Sequence, residues 1–154
     1  MKRAYRRFII LSLIVINLLP CNANNASGLM PLLHYLNAML DNQNYNFIVY
    51  EEFGGDDFVQ FGINDNGKLY IDIPQAILNK EELARAQIVF KNFRMTQQTE
   101  TFYTEEKQDA QFLVTWQKVL DWNDLNTALD ITEAMFNDVF ESDVRLGQIK
   151  VGYQ

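Results

Sequence analysis

From Leu29 the apolar residues Leu29, Leu32, Leu33, Leu36, Met39 and Leu40 recur at intervals of three and four, and His34, Asn37 and Asp41 fall on the opposite side. That spacing predicts an amphipathic helix, with Pro31 in its first turn, where a missing N–H costs little, and Asp41-Asn42-Gln43-Asn44 as a polar stop. The period then changes to two, the signature of strands with one buried face. Asn46 to Phe53 is rich in aromatic and β-branched residues, Gly54-Gly55-Asp56-Asp57 reads as a turn, and Phe58 to Ile63 sets Val59, Phe61 and Ile63 against Phe58, Gln60 and Gly62. Asn64-Asp65-Asn66-Gly67 supplies residues that tolerate positive φ in a tight hairpin, and Lys68 to Ile73 returns with Leu69, Ile71 and Ile73 inward. Three antiparallel strands in succession make a meander.

Pro74 closes the third strand, and Asn79 followed three residues later by Glu82 reads as a reciprocal helix cap. Leu83, Ala86, Phe90 and Phe93 mark the buried side of that second helix. Thr99 to Thr104 and Gln111 to Gln117 read as strands joined by a charged connection, Glu105 to Asp109. In the second, Phe112, Val114 and Trp116 share a side, although a helix could also use Phe112, Trp116 and Leu120. A last helix, capped around Asn123, carries Leu125, Leu129, Thr132, Met135, Phe136, Val139 and Phe140 in one stripe, with Asp130, Glu133, Asn137 and Glu141 outside. Beyond it, 143–154 alternates Ile149, Val151 and Tyr153, as an edge strand or a tail would. The predicted class is therefore α+β, with about five antiparallel strands covered on one face by helices in the order α-β-β-β-α-β-β-α, all within one domain over 29–142.

The first 23 residues change the setting. Lys2, Arg3, Arg6 and Arg7 form a basic leader, Phe8 to Leu19 is an apolar run broken by Ser12 and Asn17, and small and polar residues follow Pro20. This is the order of a bacterial secretory signal, and the run is short of the ~20 apolar residues that span a bilayer. Cleavage after Ala23 leaves a soluble periplasmic or secreted product, with 24–28 as a short lead. Leu18-Leu19-Pro20-Cys21 also resembles a lipobox, which would anchor the chain through Cys21, but Pro20 stands where a small residue is usual. A product cut after Ala23 has no cysteine, so packing alone must hold the domain.

None of the 20 acidic residues lies in the leader, whereas four of the 13 basic ones do. The remainder carries nine cations and a net charge of about −11. Nucleic acid and anionic membranes are poor partners for such a surface, and a basic protein is the natural complement.

Groups for catalysis are scarce. His34 is the one histidine and reads as an exposed helix residue, and His/Cys zinc sites are excluded by composition. The Asn64–Gly67 segment fails as a calcium loop, because an EF-hand alignment on Gly67 puts Gly62 first and Ile73 last, where acids are required. No phosphate loop or nucleophile elbow occurs, and no cofactor is expected. Glu51, Glu52, Asp56 and Asp57 flank the Gly54-Gly55 turn, either as a solvated face or as a contact for a basic partner. A glycan hydrolase would need such carboxyls in one cleft. Phe58, Tyr70 and Tyr50 alternate out of phase with their strands' core residues. They are expected to share the outer face of the meander with Gln60 and Asp72, as a protein contact unless the last helix or the tail covers them.

Phe58-Val59-Gln60-Phe61-Gly62, Asn66-Gly67-Lys68-Leu69-Tyr70 and the capped helix around Glu81-Glu82-Leu83 resemble the type III secretion chaperone-like superfamily. The Phe112–Trp116 strand and the helix from Leu125 to Phe140 extend the similarity over about 29–142. The resemblance implies the same α-β-β-β-α-β-β-α order and a role in gripping another polypeptide without chemistry. Those chaperones work in the cytoplasm, and the leader departs from them. The expectation is accordingly an exported, non-enzymatic binding domain, of the immunity or inhibitor kind, with a homodimer compatible. A secreted effector whose tail, Gly147 to Gln154, adds as a strand to a partner is the alternative.

Overall fold

A computed structural model describes residues 29–41, 45–104, 107–121 and 124–153. The leader with Cys21 and Ala23, the 42–44 stop, Glu105 and the Asn123 cap lie outside these residues. Helix α1 (Met30–Leu40) buries Leu32, Leu36, Met39 and Leu40 and exposes His34, Asn37 and Asp41, as its pattern requires. Strands β1 (Tyr45–Glu52), β2 (Phe58–Ile63) and β3 (Leu69–Pro74) form the meander. The hairpin between β2 and β3 turns on Asn64. Its Oδ1 accepts the N–H groups of Asn66 and Lys68 at 3.0 Å, while Gly67 takes φ 71°.

Helix α2 (Lys80–Asn92) begins with both halves of the expected box. Glu82 N–H donates to Asn79 Oδ1 at 2.9 Å, and Asn79 N–H donates to Glu82 Oε2 at 2.6 Å. It ends with Arg94 at φ 53° and Met95 N–H bonded to Phe90 O at 2.8 Å, a left-handed cap made without glycine. Strands β4 (Thr96–Thr104) and β5 (Lys107–Val119) follow, so Gln111–Gln117 is strand and the helical option for it falls away. Helix α3 (Leu125–Ala134) widens into a π turn over Met135–Val139, where Phe140 N–H reaches Met135 O at 2.9 Å. Arg85 of α2 caps that turn by donating Nε and Nη2 to Val139 O at 3.1 and 2.5 Å, a cation placed where the helix dipole favours it.

A short 3-10 turn (Val144–Leu146) leads into β6 (Gly147–Tyr153), so the C-terminal segment is an edge strand and the sheet has six strands. The sheet order is β4-β5-β3-β2-β1-β6, every neighbouring pair antiparallel. Ile48, Tyr50, Val59, Phe61, Leu69, Ile71 and Ile73 face the helices and are fully or almost fully buried. Phe136 meets Tyr50 edge to face at 5.3 Å, and Phe90 stacks on Trp116 at 4.6 Å, so α2 and the π turn pack on the same side. From Lys107 to Val114, β5 pairs with β4 alone, and Phe112, expected on one side with Val114 and Trp116, is 66% exposed.

Candidate functional site

The register aligns one row of side chains across the whole outer face of the sheet: Lys150, Val49, Gln60, Asp72, Gln117 and Thr96, one from each strand. Gln60 Nε2 donates to Asp72 Oδ2, and Asp72 is only 3% exposed. Thr115, two residues before Gln117 on β5, is also buried, and its Oγ1 has no hydrogen-bond partner among the described residues. Tyr70 lies with its ring across Gly62 on the neighbouring strand, so close that a Cβ there would sit 2.5 Å from the ring. The predicted placement of Gln60, Tyr70, Asp72 and Phe58 on this face agrees with the register, although Phe58 and Asp72 are buried rather than presented. Neither α3 nor β6 covers it. The helix packs on the opposite face, and β6 extends the sheet edgewise.

Tyr50 is the correction. It points to the helices, fully buried, with its hydroxyl donating to Val144 O at 2.5 Å and its ring against the Cα of Gly147. Burial first, and the Asp143 carboxylate second, push its phenol up from 10.0 to about 12. The physical reason is that β1 is apolar on both alternations, with Phe47 and Val49 opposing Ile48 and Tyr50, so its phase is set by its neighbours.

The four acids around the Gly54 turn do not form one cluster. Glu51 faces outward, where Lys150 Nζ approaches its Oε1 at 2.5 Å and Gln148 Nε2 donates to it at 2.7 Å. Glu52, the next residue of the strand, projects to the other face. Asp56 is exposed at the turn, and Asp57 is half-buried and closes the hairpin through its carbonyl, which accepts Glu52 N–H at 3.0 Å. Carboxyls on opposite faces of a strand cannot line a common cleft. The tail of the effector alternative, Gly147–Tyr153, pairs along one edge with β1 and is the terminal strand of the sheet.

The structure adds a site that sequence reasoning left as plain helix exterior. Leu29 and Met30 at the start of α1, Leu129, Asp130, Glu133 and Asn137 along α3, and Asp143, Val144 and Arg145 of the 3-10 turn line an open groove of about 650 Å³. The three-residue step between Asp130 and Glu133 puts both acids on one side of α3, which was legible. The approach of α1 and the 3-10 turn was not. Asp143 receives Arg145 through Nε at 2.9 Å, Nη2 at 2.6 Å and the backbone N–H at 2.9 Å. This clasp holds the Asp143 carboxyl down at about 2. Among the described residues no group of three or more His, Cys, Asp or Glu is gathered as metal ligands, and no helix is long and apolar enough to cross a membrane.

Comparison with protein-family models, with curated proteins and with solved structures returned no match to this chain.

Proposed function

We propose that this chain is an exported protein that holds another polypeptide by shape and charge, without turnover, and that its partner is basic. The observation that carries the reading is where carboxylates are left over from the ion pairs among the described residues. Lys68 pairs with Asp121, Arg85 with Glu141, Arg145 with Asp143 and Lys150 with Glu51. Asp130, Glu133 and Asp138, all exposed on the last helical element, take no cation from the described residues. Surface ion pairs contribute little to stability, so a surplus of one sign acts mainly on what approaches the surface and how fast. The basic leader supports export, and the element order through α3 is the one implied by the resemblance to secretion chaperones. Neutralising a basic toxin in the periplasm is the most concrete form of this function.

The test is affinity capture from periplasmic extract on the tagged chain lacking its leader, at low and at raised salt. The expected result is a cationic protein retained at low salt and lost as the ionic strength rises. Recovery of no cationic protein, or of one whose retention ignores salt, would sink the reading.

A further inference from the structure

The sequence pointed to the outer sheet face and the Gly54 turn as contact surfaces, yet there Phe58 and Asp72 are buried and Glu51 is neutralised by Lys150. The groove between α1, α3 and the 3-10 turn has the opposite character. Its apolar walls come from Leu29, Met30, Leu129 and Val144, and Met30 is 51% exposed, a large apolar side chain left at the surface. Three carboxylates and one guanidinium line it, and that guanidinium is consumed by Asp143. The charge facing an incoming chain is therefore that of Asp130 and Glu133, one helical turn apart. Two like charges at this spacing repel by a few tenths of a kcal/mol, and a single ammonium or guanidinium between them relieves that repulsion.

From this juxtaposition we infer that the groove is the docking site for the basic partner: an aliphatic side chain of a lysine- or arginine-bearing segment enters between Met30 and Leu129, and its cation bridges Asp130 and Glu133. The inference rests on the reading that the partner is basic, and it assigns that partner to one place on the molecule. A segment of this kind meets apolar surface and negative charge within the span of one side chain. That combination gives affinity through area and orientation through charge. An acidic or purely apolar segment would satisfy one half and oppose or strand the other.

The probe is a short synthetic amphipathic peptide of leucines and lysines, with a second in which every lysine is glutamate. Titration of each into the ¹⁵N-labelled chain is followed by amide shifts. The lysine peptide is expected to move the amides of Met30, Leu129 to Asn137 and Asp143 to Arg145, and the glutamate peptide to move none. Asp130→Asn with Glu133→Gln is expected to weaken binding about tenfold, the equivalent of about 1.4 kcal/mol. Met30→Gln should weaken it several-fold, and Asp65→Asn at the distant β2–β3 turn should leave it unchanged. Shifts spread evenly over the acidic surface, or equal affinity in the double variant, would overturn the groove assignment. The captured natural partner separates the two claims. A cationic partner indifferent to Asp130 and Glu133 removes the groove and leaves the function, whereas peptide binding here with no cationic partner in the extract removes the function and leaves the groove.

Discussion

Two tyrosines of this sheet do the same thing on opposite faces, and the contrast separates what holds the domain together from what its surface presents. Tyr50 and Tyr70 each lay a ring across a glycine of a neighbouring strand, Gly147 for the first and Gly62 for the second. Around Tyr50 everything is fixed. The residue is fully buried, Phe136 meets its ring, and its hydroxyl is tied to Val144 just before β6. Tyr70 is half-exposed on the outer face, and only the far end of its ring meets Gly62. A close aromatic–glycine contact is thus fully buried in one place and half-exposed in the other, although in sequence both are a tyrosine in a strand.

The most severe way to break the comparison is Gly147→Ala. A Cβ there would lie 2.3 Å from the Tyr50 ring, which cannot withdraw, so a loss of about 3 kcal/mol is expected, with faster amide exchange in β6 and the facing half of β1. Urea denaturation measures the first and hydrogen exchange the second. If the variant is as stable as its parent, the ring is not held.

Next in size is Tyr50→Phe, which leaves Val144 O without its donor and should cost about 1–2 kcal/mol near neutral pH. Its pH dependence sharpens the point. The folded phenol titrates at about 12 against 10.0 ordinarily, so its neutral form stabilises the fold fully below pH 10, and that contribution is lost as pH climbs through 12. The loss is on the order of 2–3 kcal/mol. The gap in urea midpoint between parent and variant should therefore close between pH 10 and 12, and a gap that stays constant would contradict the buried-hydroxyl account.

The smallest effect belongs to Gly62→Ala. The added Cβ would come 2.5 Å from the far end of the half-exposed Tyr70 side chain, where a small shift of the ring relieves the contact, and relief of glycine's backbone entropy offsets what remains. A change within about 0.5 kcal/mol is expected. A loss as large as that of Gly147→Ala would show that the outer face is as constrained as the inner.

The elements were legible wherever one period dominated. The stripe of α1, the Asn79–Glu82 box and the alternation of β2 and β3 each carried a single physical signal, and the folded chain uses them as read. Tyr50 was misplaced because β1 offers apolar residues on both alternations, and only pairing with β2 and β6 chooses between them. The ends of β5 were missed because Lys107 to Ala110 owe their strand conformation to β4 rather than to any pattern of their own. The π turn was invisible, since one extra residue over five does not change which side chains face the core. In the candidate groove, Asp130 and Glu133 could be placed on the outside of a helix from spacing alone. Their partners Met30 and Val144 come from elements roughly a hundred and ten residues apart, a proximity that only the fold creates.

The pairing of β6 with β1 also sets a timetable. Tyr50 and Val144 are 94 residues apart, and β1 gains its second neighbour only from β6, the last strand of the sheet in chain order. Contacts of such separation form late, because a long loop must close before they contribute. A chain in which β6 has not yet docked therefore carries an uncompleted strand edge along β1 that can pair with other chains.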